Sequence, residues 1–381
     1  MKQKTFFLHL LDLLWCCSII TPLTVLGWRG MWDLLDQVTT LQSPSILTSL
    51  PMFQVFPNDS QSAKVTDEVF SAEISPWSAL TCYVAGLVMK IMLDLSRERT
   101  GQYLAESKNI VRHVVGWSVR LTQGLAMVAY WRGTFGLLSN NLGEGVGPVC
   151  LTLAISSLLL CSAKLCRCGV FPPLVLTTDS HHQTFQNGLY FRSSPGEQGF
   201  LPLDSIFSNF VVKTLPVIVW WALWCLENKY FSHNMIGEKD ELISYDSLAT
   251  GYGLAILVFI TDKLLPYHQL HALITRLARL FITCTAILAT LNVWRGVWSC
   301  LDHFFFPSIT GSCNYLLSVL VSSIGLTITY SSNTLGADFI IFDDEGDADE
   351  DVIDIQFWGM DEDSKNKTEM SKICDKKETM E

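Results

Sequence analysis

Eight stretches of this chain approach the roughly 20 consecutive apolar residues that a helix needs to cross a hydrocarbon layer. They fall at Phe6–Trp28, Trp77–Leu95, Val114–Leu138, Val146–Leu165, Phe210–Leu226, Leu248–Leu265, Leu277–Leu301 and Cys313–Tyr330. With no water to solvate the backbone inside a bilayer, such runs satisfy their own N–H and C=O groups as helices. Composition agrees, because only 17% of residues are charged against about 25% in soluble domains. The expected fold is therefore all-α: an eight-helix membrane domain over residues 1–335, followed by an acidic, disordered cytosolic tail over 336–381. The third and fifth runs are the least uniform, being interrupted by Arg120, Gln123 and Lys213.

The first run follows Lys2 and Lys4, as a secretory signal would. It is longer than a signal's usual 7–15 apolar residues, and Gly27-Trp28-Arg29 is a poor cleavage site, which favours an uncleaved anchor.

The loop charges give the expected orientation. With the N-terminus in the cytosol, fifteen lysines and arginines fall on the inner side, and only Lys64, Lys229 and Lys239 fall in outer loops. This is the positive-inside asymmetry, and an even number of spans keeps the tail inside as well. The sequon Asn58-Asp59-Ser60 then lies in the first outer loop, as a glycosylation site should. Cys300 and Cys313 flank the last outer loop, either as a disulfide or as two free thiols. The longest inner loop, 166–205, reads as irregular, with Phe171–Leu176 lying on the membrane surface. Cys166 and Cys168, just past a span, are ordinary helix-end cysteines or sites of reversible palmitoylation.

A motif recurs at the outer end of the odd-numbered spans: Trp28-Arg29-Gly30-Met31-Trp32, Trp131-Arg132-Gly133-Thr134-Phe135 and Trp294-Arg295-Gly296-Val297-Trp298. A fourth copy keeps the aromatics alone, with Trp220 and Trp224 around Trp221-Ala222. The repeated unit reads as a hairpin: up through an odd span, motif, outer loop, and back through an even span. The result is four similar hairpins related about an axis along the membrane normal.

Aromatics at i and i+4 share a helix face, and Trp favours the headgroup level. One reading is thus interfacial anchoring, with each glycine ending a helix or admitting a close neighbour. The other is a ring of packed arginines, each paired with an acid or holding an anion. Asp33 lies four residues after Arg29, and Asp302 seven after Arg295, so both are in reach as partners. The ionisable residues within the spans, Asp12, Lys90, Asp94 and Asp262 among them, fall near the inner interface, where water would reach them. A transporter would place such groups at midplane.

The tail carries sixteen acidic and five basic residues, which accounts for the net charge of −11. Such a surface repels nucleic acid. Asp343, Asp344 and Glu345, followed by Phe357 and Trp358, read either as a solvated tail or as a docking segment for a basic cytosolic partner. The hydrolase, P-loop and metalloprotease motifs are absent, so no catalytic, metal or cofactor site is expected.

Eight spans, the repeated Trp-Arg-Gly-x-aromatic motif and a cytosolic tail resemble the fuseless family of animal membrane proteins. The resemblance covers roughly residues 6–332 and is carried mostly by Trp294–Trp298. It implies a plasma-membrane protein of the presynaptic terminal that organises other membrane proteins, calcium channels included, without catalysis. The alternative is a transporter or channel between the helix pairs, lined by Asn292 and the serines of the last span.

Overall fold

The computed structural model describes residues 2–41, 75–179, 189–191, 200–234, 240–265, 271–305, 311–336, 340–341 and 343. Asn58, Asp344, Glu345, Phe357 and Trp358 lie outside the described residues.

Eight helices form the bundle. Helix α1 runs through Lys2–Trp15, a π-turn at Cys16–Ile20, and Thr21–Leu41. Then come α2 (Pro76–Glu106), α3 (Asn109–Leu142) and α4 (Val146–Ala163). Helix α5 joins Leu201–Phe207, a second π-turn Ser208–Val212, and Thr214–Asn234. Helices α6 (Asp240–Leu264), α7 (Ala272–Phe304) and α8 (Ser312–Ile328) complete it. Six of these, all but α3 and α8, are long and apolar enough to cross a bilayer, and the chain is a multi-span membrane protein.

The helices pair as α2 with α3, α4 with α5, α6 with α7, and α8 with α1. The hairpins expected from sequence, odd helix then even, are therefore not the packing units. Each even helix packs on the odd helix that follows it, and the last helix closes the ring on the first. The glycines show why. A Cβ on Gly133 would strike the backbone of Tyr83 in α2, and one on Gly296 the backbone of Leu248 in α6. Gly30 likewise lies against the backbone of Tyr315 in α8. Small residues let helices approach this closely.

Odd helices form the inner circle and even helices the outer one. The apolar windows of α1, α5 and α7 are 50–56% buried, against 17–33% in α2, α4 and α6. Helix α8 makes the logic plain. Leu316, Leu320 and Ile324 form an exposed apolar stripe, while Ser318, Ser322 and Ser323 are buried. The Ser322 hydroxyl donates to the Leu23 carbonyl of α1 at 2.6 Å. Polar-inside, apolar-outside is the pattern of a helix between protein and lipid.

The two halves of the chain repeat one another beyond the motif. Both π-turns begin twelve residues before a motif tryptophan, Trp28 in α1 and Trp220 in α5. Each accepts a tyrosine hydroxyl from another helix: Tyr252 to the Cys17 carbonyl at 3.0 Å, and Tyr130 to the Asn209 carbonyl at 2.9 Å. A π-turn leaves a carbonyl without its usual helical donor, and here an incoming tyrosine takes that role.

Two segments enter the bundle from the end opposite the motifs. One follows α4, where Val170, Leu174 and Leu176 are buried. The other follows α8, a 3-10 turn at Ser332–Gly336 with Leu335 buried. The expectation that Phe171–Leu176 lies on the membrane surface is corrected: the segment is core. Asp179 laces the two segments together, accepting from Ser332 Oγ at 2.5 Å and from the Asn333 N–H at 2.8 Å. Asn333 and Thr334 donate in turn to the carbonyls of Thr178 and Thr177. The backbone polar groups of a non-helical segment at this depth need such partners.

Candidate functional site

The four motif copies converge on the bundle axis. They lie inside their helices rather than at the ends, since α1 continues to Leu41 and α7 to Phe304. The first aromatic of each copy, Trp28, Trp131, Trp220 and Trp294, is buried. Their rings meet edge to face in a closed cycle, with centroids at 5.3 Å (Trp28–Trp131), 5.5 Å (Trp131–Trp220), 5.9 Å (Trp220–Trp294) and 5.1 Å (Trp294–Trp28). This geometry puts the positive ring edge on the negative face of the next ring. Interfacial anchoring is thus not the role of this tier: the rings face one another.

The inserted segments complete the tier. Trp220 Nε1 donates to the Gly169 carbonyl at 2.8 Å, Trp294 Nε1 to Pro172 at 2.8 Å, and Trp28 Nε1 to Leu335 at 3.0 Å. Phe171 sits edge-on to Trp131 at 5.4 Å and to Trp220 at 5.3 Å, closing the cycle from the loop end.

The second aromatics, Trp32, Phe135, Trp224 and Trp298, make a wider tier one turn further on. Trp32 meets Phe135 at 5.8 Å and Trp298 at 6.1 Å. Between the tiers and beyond them lies a cavity of about 270 Å³, lined by all eight aromatics together with Asp33 and Asp36.

Around the tiers runs a second closed ring. Arg132 of α3 pairs with Asp36 of α1, and also donates to Cys82 Sγ at 3.0 Å and Thr39 Oγ1 at 3.1 Å. Arg29 of α1 donates to Asp302 of α7 at 2.5 Å, and Arg295 of α7 approaches Glu227 of α5 at 3.8 Å. The fourth link joins α5 to α3, where Trp221 Nε1 donates to Ser139 Oγ at 3.0 Å. Trp221 stands where the other copies have arginine. In every link this second motif position reaches a residue seven or eight places past the first aromatic of the neighbouring odd helix.

The partners expected from sequence need correction here. Asp302 serves Arg29 rather than Arg295, and Asp33 is a minor partner of Arg29 at 3.9 Å. Asn292 Nδ2 donates to Glu227 at 2.7 Å.

The ionisable residues expected near water are instead buried. Asp12, Lys90, Asp94 and Asp262 are all less than 9% exposed. Lys90 Nζ lies 4.1 Å from the Tyr130 ring centroid, and Asp94 accepts from Ser205 at 3.0 Å and Asn209 at 2.6 Å. Asp343, read as part of a docking segment, accepts from the backbone N–H groups of Cys166 at 3.1 Å and Arg167 at 3.0 Å. It is engaged within the chain. Cys166 is buried with its Sγ 3.3 Å from Cys161 Sγ, and burial pushes its thiol pKa up. Cys300 and Cys313 are free thiols.

The family model for Fuseless matches residues 60–335, more than two thirds of the chain, and takes in three of the four motif copies. The chain belongs to the Fuseless family. No curated protein and no solved structure matches it. Within this Fuseless-family chain, sequence reasoning found the aromatics, the arginines and the glycines. It missed Asp36, Glu227 and Ser139 as the other halves of the links, Trp221 as the donor of the fourth, and Phe171 as the stopper.

Proposed function

We propose that this protein is a non-enzymatic organiser of other membrane proteins, ion channels among them, in the plasma membrane of the presynaptic terminal. In this reading all eight helices cross the bilayer, both termini are cytosolic, and the motif end faces outside, where Asn58 is glycosylated. The lysine and arginine bias of the loops supports that orientation.

The observation that carries the reading is the filled centre. The tryptophan cycle, the Phe171 stopper and the two laced segments occupy the axis where a channel or carrier would need a path. Two of the residues nominated as pore lining are engaged within the bundle, Asn292 on Glu227 and Ser322 on α1. The outer circle offers apolar faces to lipid and to the helices of partner proteins. The tail beyond Asp343 supplies a cytosolic contact, its acids steering a basic partner.

One observation favours the runner-up, a carrier or channel: the aromatic cavity at the motif end is the shape of a vestibule. Proteoliposome flux separates the two. The organiser predicts cation and solute flux no faster than protein-free liposomes, and loss of a cytosolic partner on deleting Asp344–Trp358, which spares the Asp343 contacts. Saturable flux that disappears in Arg295→Gln would sink it.

A further inference from the structure

The geometry points to a binding site for a small organic cation, of the quaternary-ammonium class, in the aromatic cavity at the motif end. This inference goes beyond the organising role and stands independently of it.

The walls come first. Trp32, Phe135, Trp224 and Trp298 surround a space of about 270 Å³ whose floor is the tryptophan cycle. That lies just under the roughly 300–1,000 Å³ of drug-sized pockets, so the occupant is small. Eight aromatic rings line this one space, the composition of an aromatic cage. Such cages attract cations through the ring quadrupole.

Charge decides between a cation and a neutral apolar guest. The charged residues of the lining are both carboxylates, Asp33 and Asp36. Asp36 is committed to Arg132. Among the described residues, Asp33 has only Arg29 as a basic neighbour, with Nε at 3.9 Å, and that guanidinium lies closer to Asp302, at 2.5 Å. Around the whole ring three guanidiniums, Arg29, Arg132 and Arg295, face four carboxylates, Asp33, Asp36, Asp302 and Glu227. Among the described residues the acids of the ring thus outnumber its guanidiniums by one, and Asp33 is the acid without a guanidinium of its own. No other motif copy has an acid at this position, five residues past its first aromatic; Gly136, Cys225 and Ser299 stand there instead. An acyl chain or sterol in the cavity would desolvate that carboxylate without compensation.

The cage also selects among cations. Calcium and magnesium need six or more oxygen ligands, and indole walls supply none. A quaternary ammonium sheds little hydration and turns methyl groups to the rings, leaving its charge to Asp33.

The test uses the full chain in detergent, titrated by calorimetry with choline and with its neutral carbon isostere, 3,3-dimethylbutan-1-ol. Choline should bind saturably with Kd of about 1 mM or tighter, and the isostere at least about tenfold more weakly. Asp33→Asn should weaken choline about tenfold while Asp33→Glu retains it. Trp298→Phe, which keeps a ring in the wall, should weaken it less than Trp298→Leu. Each variant is compared only where its melting temperature matches the parent. Equal binding of choline and the isostere would reduce the site to an apolar cavity and overturn the inference. So would the absence of saturation in folded protein, or an unchanged affinity in Asp33→Asn.

Discussion

Two corners of the same ring solve one problem with different chemistry. Where α3 meets α1, a guanidinium that is 2% exposed holds a carboxylate. Where α5 meets α3, an indole holds a hydroxyl at 3.0 Å. The positions in the two helices correspond, and so does the direction of donation around the circle. What the corners share is a directed hydrogen bond between neighbouring odd helices, so the link is a strut and the charge is optional. The arginines then serve the bundle by compensating acids of this chain, and an external anion is not needed to account for them. The neutral corner also shows what arginine brings where it occurs. Arg132 gathers four acceptors from two helices, whereas Trp221 reaches one.

Substitutions at the corners can break this comparison. The largest effect is expected from Asp36→Ala, which strands the buried Arg132 guanidinium without a carboxylate; leaving a buried charge unpaired costs at most about 3–5 kcal/mol, less here because Asp36 itself is 40% exposed. The melting temperature of the solubilised protein and its delivery to the cell surface should both fall sharply. A variant that melts like the parent would mean the strut carries no load.

Asp302→Ala should cost less, about 1–3 kcal/mol, because Arg29 keeps a second carboxylate, Asp33, within 3.9 Å. An effect as large as that of Asp36→Ala would show that Asp33 does not stand in for Asp302 as the partner of Arg29. Trp221→Phe should be the mildest, about 0.5–1.5 kcal/mol for one neutral hydrogen bond. If it instead matched the charged corners, volume at that site would outweigh the link.

Much of this architecture is legible in the sequence, and the limits have physical causes. The apolar runs announce the helices because a bilayer imposes length and composition together. The Trp-Arg-Gly copies announce a repeat because the same helix crossing recurs. The partners are hidden for two reasons. Arg29 and Asp302 are 273 residues apart, and no local spacing brings them together. A signal did exist, since Asp36, Ser139, Glu227 and Asp302 all lie seven or eight places after a motif's first aromatic. It is lost if the helices are taken to end at the motif, as the end of each apolar run suggests. The core segment Val170–Leu176 is hidden differently. It is too short to span, and its two prolines read as irregular loop, so burial there depends on the carbonyls of Gly169 and Pro172 meeting indole donors from α5 and α7.

The pairing of α8 with α1 sets an order on the protein's manufacture. Synthesis makes α1 long before α8, which carries the surface that its Gly27 and Gly30 are shaped to receive. For most of synthesis the first helix must wait in the lipid beside strangers, its arginine also lacking Asp302, which emerges only at the end of α7. Completion of the fold is thereby tied to completion of the membrane domain. A nascent chain stopped after α7 would carry an unclosed circle, with the glycine face of α1 left uncovered.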